Sequence, residues 1–98
     1  MNLHIIGHGY DVSPAEREHA EKKFVKLREH FVKISDVHLT LTVQNSHEHC
    51  ATAHVKVPGK SEDLAAHSTK ENMYLAVDDV VKKLLVQLDK YNSILKSH

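Results

Sequence analysis

Val37-His38-Leu39-Thr40-Leu41-Thr42-Val43-Gln44, followed after a short polar break by Ala51-Thr52-Ala53-His54-Val55-Lys56-Val57, is the stretch that decides the fold. Val37, Leu39, Leu41 and Val43 share one face, and His38, Thr40, Thr42 and Gln44 share the other. A period of two in a segment rich in β-branched residues is the mark of a half-buried strand. Ala51, Ala53, Val55 and Val57 then alternate with Cys50, Thr52, His54 and Lys56 until Pro58-Gly59 stops the run, and Asn45 to Glu48 supplies the turn between the two segments. The pair predicts an antiparallel hairpin with one apolar face that something else must cover.

Helices on both sides of the hairpin can do the covering. Upstream, Ser13-Pro14-Ala15-Glu16 predicts a helix start. Ser13 caps, Pro14 fits the first position because its missing N–H needs no partner there, and Glu16 closes a capping box. Ala20, Phe24, Leu27 and Phe31 then fall within about 60° on one helical face. Downstream, a long helix is predicted from about Lys70 to Ser93 or beyond, with Met73, Val77, Val80, Val81, Leu84, Leu88, Tyr91 and Leu95 as its apolar stripe.

Two shorter strands complete the set. Asn2 to Gly7 alternates Leu3 and Ile5 with polar neighbours before Gly7-His8-Gly9 breaks the run, and Leu64, Ala66 and Ser68 suggest a fourth strand. The order β-α-β-β-β-α gives an α+β fold: a two-layer domain with a four-stranded mixed sheet and two helices packed side by side on one face. The first helix is long enough for a right-handed crossover, which sets strand one parallel to strand two.

At 98 residues, with 41% hydrophobic and 27% charged, the chain is expected to form a single domain over 1–98. A domain of this size holds a core but no deep substrate chamber, which favours a binder over an enzyme. No apolar run approaches the roughly 20 residues of a membrane helix, and Met1-Asn2-Leu3-His4 does not resemble a signal peptide. The lone Cys50 agrees with a reducing cytoplasm, so the expected location is cytoplasmic.

Thirteen Lys+Arg balance thirteen Asp+Glu, yet the charge is not evenly spread. From Lys22 to Lys33 five basic residues meet one acid, and from Val80 to His98 four lysines meet one acid. Lys22, Lys26 and Lys33 fall within about 40° on the first helix, nearly opposite its apolar centre, with Lys23 about 60° further round. Lys83 and Lys90 stand seven residues apart away from the second apolar stripe, with Val86 between them. Adjacent helices would merge these into a basic ridge suited to an RNA backbone. The plain alternative is a solvated face with ion pairs such as Glu18–Lys22 and Glu29–Lys33.

His47-Glu48-His49-Cys50 contains metal-ligating residue types, and His47 and His49 are weak metal candidates. On a strand His47 and His49 share a face while Cys50 points away, so the spacing is poor for a closed site. Cys50 lacks an adjacent oxyanion-binding helix start, and Gly7-His8-Gly9 lacks the rest of a phosphate-binding loop. No catalytic residue, cofactor or small-molecule substrate is expected.

The last helix carries Glu71-Asn72-Met73-Tyr74-Leu75-Ala76-Val77-Asp78, which resembles the Asp-Met-Tyr-x-Ala-Ile-Asp signature of the bacterial ribosome hibernation promoting factor family, also called the sigma-54 modulation or ribosome-associated inhibitor family. Leu3-x-Ile5-x-Gly7, Ala15-x-Arg17-Glu18, Lys23-Phe24-Val25-Lys26-Leu27 and Ala51-Thr52-Ala53-His54-Val55 stand in the family's order and near its spacing. The resemblance implies a fold like that of double-stranded-RNA-binding domains. It also implies binding to the rRNA of the small ribosomal subunit, in the mRNA and tRNA channel at the A and P sites. Translation would be inhibited in stationary phase or stress, by steric occlusion. Arg17, Lys22, Lys23, Lys26, Lys83 and Lys90 match the family's RNA-binding positions, and Lys82 of the same run joins them as a candidate.

With its end at His98 the chain resembles the short branch of the family, without a dimerisation domain or an acidic tail. That branch acts with ribosome modulation factor to favour inactive ribosome dimers. Val86 departs from the pattern, standing where family members often have arginine. Three alternatives compete with this expectation. One is an inhibitor-type relative with no dimer-promoting role, another a metal-binding module built on the histidines, and the third a regulatory interaction domain.

Overall fold

The computed structural model describes residues 1–30 and 33–96, with the side chains of 92–96 excepted. Six elements follow in the expected order: β1 (Asn2–Gly7), α1 (Pro14–His30), β2 (Asp36–Asn45), β3 (Glu48–Lys56), β4 (Leu64–Lys70) and α2 (Met73–Lys96). The sheet runs β1-β2-β3-β4, with β1 parallel to β2 and the other two pairings antiparallel. This is the expected mixed sheet with both helices on one side.

Register explains the core. On the helix side the sheet carries the rows Leu3–Val37–Val55–Leu64, Ile5–Leu39–Ala53–Ala66 and Gly7–Leu41–Ala51–Ser68. Large aliphatic residues fill β2, while the alanines of β3 and β4 leave room for α2 to sit close. Val37, Leu39, Leu41, Ala51, Ala53 and Val55 lose all exposure, as do Phe24, Leu27, Val80, Leu84 and Leu88 from the helices. Fully burying one such large side chain is worth about 1.5–3 kcal/mol, so this layer supplies most of the driving force. Leu3 and Ile5, on an edge strand, are only half-buried. Phe31 lies outside the described residues, and so does the side chain of Leu95.

Local chemistry sets the element ends. Ser13 and Glu16 form the capping box reciprocally: the Glu16 N–H donates to Ser13 Oγ at 3.1 Å and the Ser13 N–H to Glu16 Oε1 at 3.0 Å. Val57-Pro58-Gly59-Lys60 is a type II turn, with Gly59 at φ 87° and the Lys60 N–H donating to the Val57 carbonyl at 3.1 Å. Only glycine takes that φ without strain.

Two sequence expectations need correction. α2 begins at Met73 and not at Lys70, because Thr69 and Lys70 pair with Cys50 and His49 on β3, and Asn72 caps the helix by accepting from the Leu75 N–H at 3.0 Å. An Asx cap competes with helix propagation at its own position, so the turn of helix before it does not form. α1 is described only to His30, and Lys33 lies in a turn beyond it, so Lys33 drops out of the helical lysine stripe.

Candidate nucleic-acid interface

The two helices lie side by side and parallel. His19 Nε2 donates to Asp78 Oδ1 at 2.7 Å, and His30 Nε2 to Asp89 Oδ1; each pair is 59 positions apart in sequence. Equal offsets eleven residues apart mean that both helices climb together for three turns. The His19 ring also meets the edge of Tyr74 at 5.1 Å between centroids. Lys23 lies between these clasps, and Lys82, again 59 positions on, stands level with it.

α2 splits its own cations between two flanks. Its α1 side is marked by Tyr74, Asp78 and Asp89, and its β4 side by Lys83 and Gln87, whose side chains donate to the His67 and Ala65 carbonyls at 2.8 and 2.7 Å. Lys82 lies about 100° round from Lys83, on the face turned away from the sheet. Lys90 follows Lys83 onto the β4 flank. Arg17 stands about 120° from Lys23 around α1, on the flank remote from α2. Of the seven candidates, the structure therefore gathers Lys22, Lys23, Lys26 and Lys82 on one outward face. Arg17 sits at one margin, and Lys83 and Lys90 sit at the other.

Internal acids neutralise part of this face. Lys22 pairs with Glu18 at 3.1 Å, Lys23 approaches Asp78 at 3.9 Å, and Lys83 pairs with Asp79 at 3.3 Å. The predicted Glu18–Lys22 pair is present, whereas Glu29–Lys33 is absent among the described residues. Arg17, Lys26, Lys82 and Lys90 have no carboxylate within 4.0 Å among those residues. Exposed pairs hold lysine weakly, so a phosphate can replace the carboxylate at little cost. Asp79 is more firmly placed. A hydrogen bond from buried Ser68 at 2.7 Å, aided by Lys83, holds its carboxyl below the usual range despite partial desolvation. Beside Lys82, a groove of about 410 Å³ is lined also by Lys70, Glu71, Leu75, Asp78 and Asp79. Its mixed charge makes it a margin of the basic face.

The weak metal candidates do not converge. His47 is exposed in the hairpin turn, half-buried His49 has an Nδ1 with no hydrogen-bond partner among the described residues, and Cys50 is buried against Thr69. Among the described residues, no three His, Cys, Asp or Glu side chains form a group that could hold a metal ion.

The family model described as "Sigma 54 modulation protein / S30EA ribosomal protein" matches residues 3–96. The chain belongs to this family. It is 34% identical to the ribosome hibernation promoting factors of Salmonella typhimurium and of Escherichia coli K12, each alignment covering all of both chains. A ribosomal subunit interface protein from Coxiella burnetii superposes with a TM-score of 0.83 at 34% identity, over 95% of this chain and 99% of that one. The N-terminal domain of Thermus thermophilus Protein Y, 23% identical, shares the fold with a TM-score of 0.81. S30EA family membership makes the chain a ribosome-associated regulatory factor and gives the two-helix face its setting.

The sequence pattern missed the His–Asp clasps and the β4-edge contacts. A signal for the clasps was present: His19 and His30 share an eleven-residue spacing with Asp78 and Asp89, which puts each pair of residues on one helical face. No comparable signal marked Lys83 as a strand contact.

Proposed function

We propose that the chain binds the small ribosomal subunit through the outward face of α1 and α2, in the channel that mRNA and the A- and P-site tRNAs otherwise occupy, and so holds idle ribosomes inactive in the cytoplasm. The observation that carries this is the parallel, in-register helix pair, which brings Lys22, Lys23, Lys26 and Lys82 to one face of a chain in the S30EA family. Lysine supplies a flexible point charge suited to phosphate oxygens without reading base identity. Occupancy is steric and no bond is made or broken. In stationary phase or stress the bound factor, with ribosome modulation factor on the same ribosome, favours inactive ribosome dimers. Relatives carrying the name ribosome hibernation promoting factor support this last step.

Sucrose-gradient sedimentation with bacterial ribosomes tests the reading. The chain should co-migrate with the small subunit at low salt and dissociate as salt rises, since counterion release drives phosphate contacts. A folded Lys23→Glu/Lys26→Glu/Lys82→Glu variant should stay at the top of the gradient. Co-migration of that variant at the level of the parent would move the interface elsewhere, and no co-migration of the parent at any salt would remove the ribosome from the proposal.

A further inference from the structure

Two histidine–carboxylate pairs join α1 to α2. His19 Nε2 meets Asp78 Oδ1 at 2.7 Å, and His30 Nε2 meets Asp89 Oδ1 three turns further along. From α2, the groups that face His19 are Asp78 and Tyr74, with Tyr10 of the β1–α1 loop beyond the Tyr74 phenol. From the sheet, His49 of β3 acts on Glu16 at the same end of α1. On α1 itself, Lys23 approaches the Asp78 carboxylate at 3.9 Å. His30 faces Asp89 from α2, and Lys26 stands one turn before it on its own helix.

We infer that these pairs make the two-helix face pH-responsive, acidification strengthening its hold on RNA, an inference that rests on the ribosome-binding role proposed for that face. Imidazole is the side chain that gains a proton between about pH 8 and 5. Before it does so, the face is close to electrical balance. Lys22, Lys23, Lys26 and Lys82 share it with Glu18, Glu29, Asp78 and Asp89, Glu29 falling within about 20° of Lys22 around α1. Two imidazoliums tip that balance to positive. Each forms inside a hydrogen bond that already exists, so the bond becomes charge-assisted and the helix seam keeps its geometry. Protonated His19 also neutralises the carboxylate that Lys23 approaches and leaves that ammonium to phosphate. Both effects have one sign, because a polyanion binds the more positive face more tightly. Side-chain exposure of 25% at His19 and 44% at His30 leaves both rings open to proton exchange with water.

Filter binding of the whole chain to small ribosomal subunits at about pH 7.5 and about pH 6, with ionic strength and Mg²⁺ held constant, tests this. Affinity should rise by about fivefold or more on acidification, and the salt slope should steepen by about 0.7–0.9 for each imidazolium that meets a phosphate. A His19→Gln/His30→Gln chain, shown to be folded by circular dichroism, should have the same affinity at both pH values, because glutamine keeps a donor for each carboxylate but takes up no proton. His38→Gln/His54→Gln, paired across β2 and β3 on the opposite face of the sheet, should keep the gain. Equal binding of the parent at both pH values would overturn the pH response while leaving ribosome binding in place. A gain that survives in the His19→Gln/His30→Gln chain would overturn it too. No binding of the parent at either pH would remove the ribosome-binding role, and the pH response with it.

Discussion

The ammonium of Lys83 donates to the carbonyl oxygen of His67 at 2.8 Å, and Gln87, one turn on, does the same to Ala65 at 2.7 Å. β4 is an edge strand, and these α2 side chains cover two of its outward carbonyls. An uncovered edge invites pairing with another chain. Lys83 is thus committed to the fold, while Lys82 beside it faces outward with no ion pair among the described residues. Lys82→Ala should weaken ribosome binding about uniformly across sites and lower its salt slope by about 0.7–0.9, and Lys83→Ala should change the slope less. Filter binding at several salt concentrations measures both.

Gln87→Leu should cost about 0.5–1.5 kcal/mol, the net value of one hydrogen bond. It should also raise self-association at high concentration, because the Ala65 carbonyl is freed at the strand edge. Urea denaturation reads the first effect and sedimentation velocity the second.

Tyr10 donates its hydroxyl to the Glu16 carboxylate, tying the β1–α1 loop to the first turn of α1. Burial, together with that hydrogen bond and the carboxylate's charge, pushes the Tyr10 phenol up to about 12. Partial burial works against ionised Glu16, but the bonds from Tyr10 and Ser13 outweigh it and hold the carboxyl below its usual range. Tyr10 is raised, so its contribution is complete below about pH 10 and disappears as pH climbs towards 12. Glu16 is lowered, so its contribution is complete above about pH 4.5 and disappears as pH falls through its folded value. Tyr10→Phe should therefore flatten the stability profile at both ends. Urea midpoints taken across pH for the parent and the variant provide the comparison.

Most of the architecture was legible because it depends on periodicity. Val37 to Val43 and Ala51 to Val57 carry an uninterrupted alternation, and the α2 stripe from Met73 to Leu88 is buried as its spacing requires. The site was less legible. A helical wheel gives the angle of Lys82 or Lys83 about its own axis but not which neighbour flanks it. That depends on α2 packing over β3 and β4 with α1 on its other side. The α2 start was misplaced for a similar reason: Lys70 suits a helix, but pairing with His49 on β3 claims it for the sheet.

Gly7 marks a close approach that no side chain tolerates. A Cβ at this position would lie 1.8 Å from the Tyr10 carbonyl oxygen and 3.1 Å from a methyl of Val12, so the loop that carries Tyr10 folds directly over β1. Gly7→Ala should destabilise by about 1–3 kcal/mol, the usual cost of overpacking. In a domain of this size each kcal/mol lowers the melting temperature by roughly 4–8 °C. Thermal unfolding by circular dichroism reads this directly, and an unchanged melting temperature would show that the loop can lift without loss.

Asp78 accepts from His19 at 2.7 Å and lies 3.9 Å from the ammonium of Lys23, so one acid serves both the helix seam and the candidate RNA face. Replacing it with asparagine keeps a hydrogen-bonding side chain between the helices and removes the charge that competes with phosphate for Lys23. The stability loss should stay within about 1 kcal/mol, because the pair is partly exposed and screened by solvent. Binding to the small subunit should tighten by several-fold at low salt, with a steeper salt dependence, as Lys23 becomes free to release counterions from the RNA. Glu18→Gln, acting on Lys22 at the same face, should move affinity in the same direction. Weaker binding by a folded Asp78→Asn chain would mean that the carboxylate positions Lys23 for the RNA and does not compete with it.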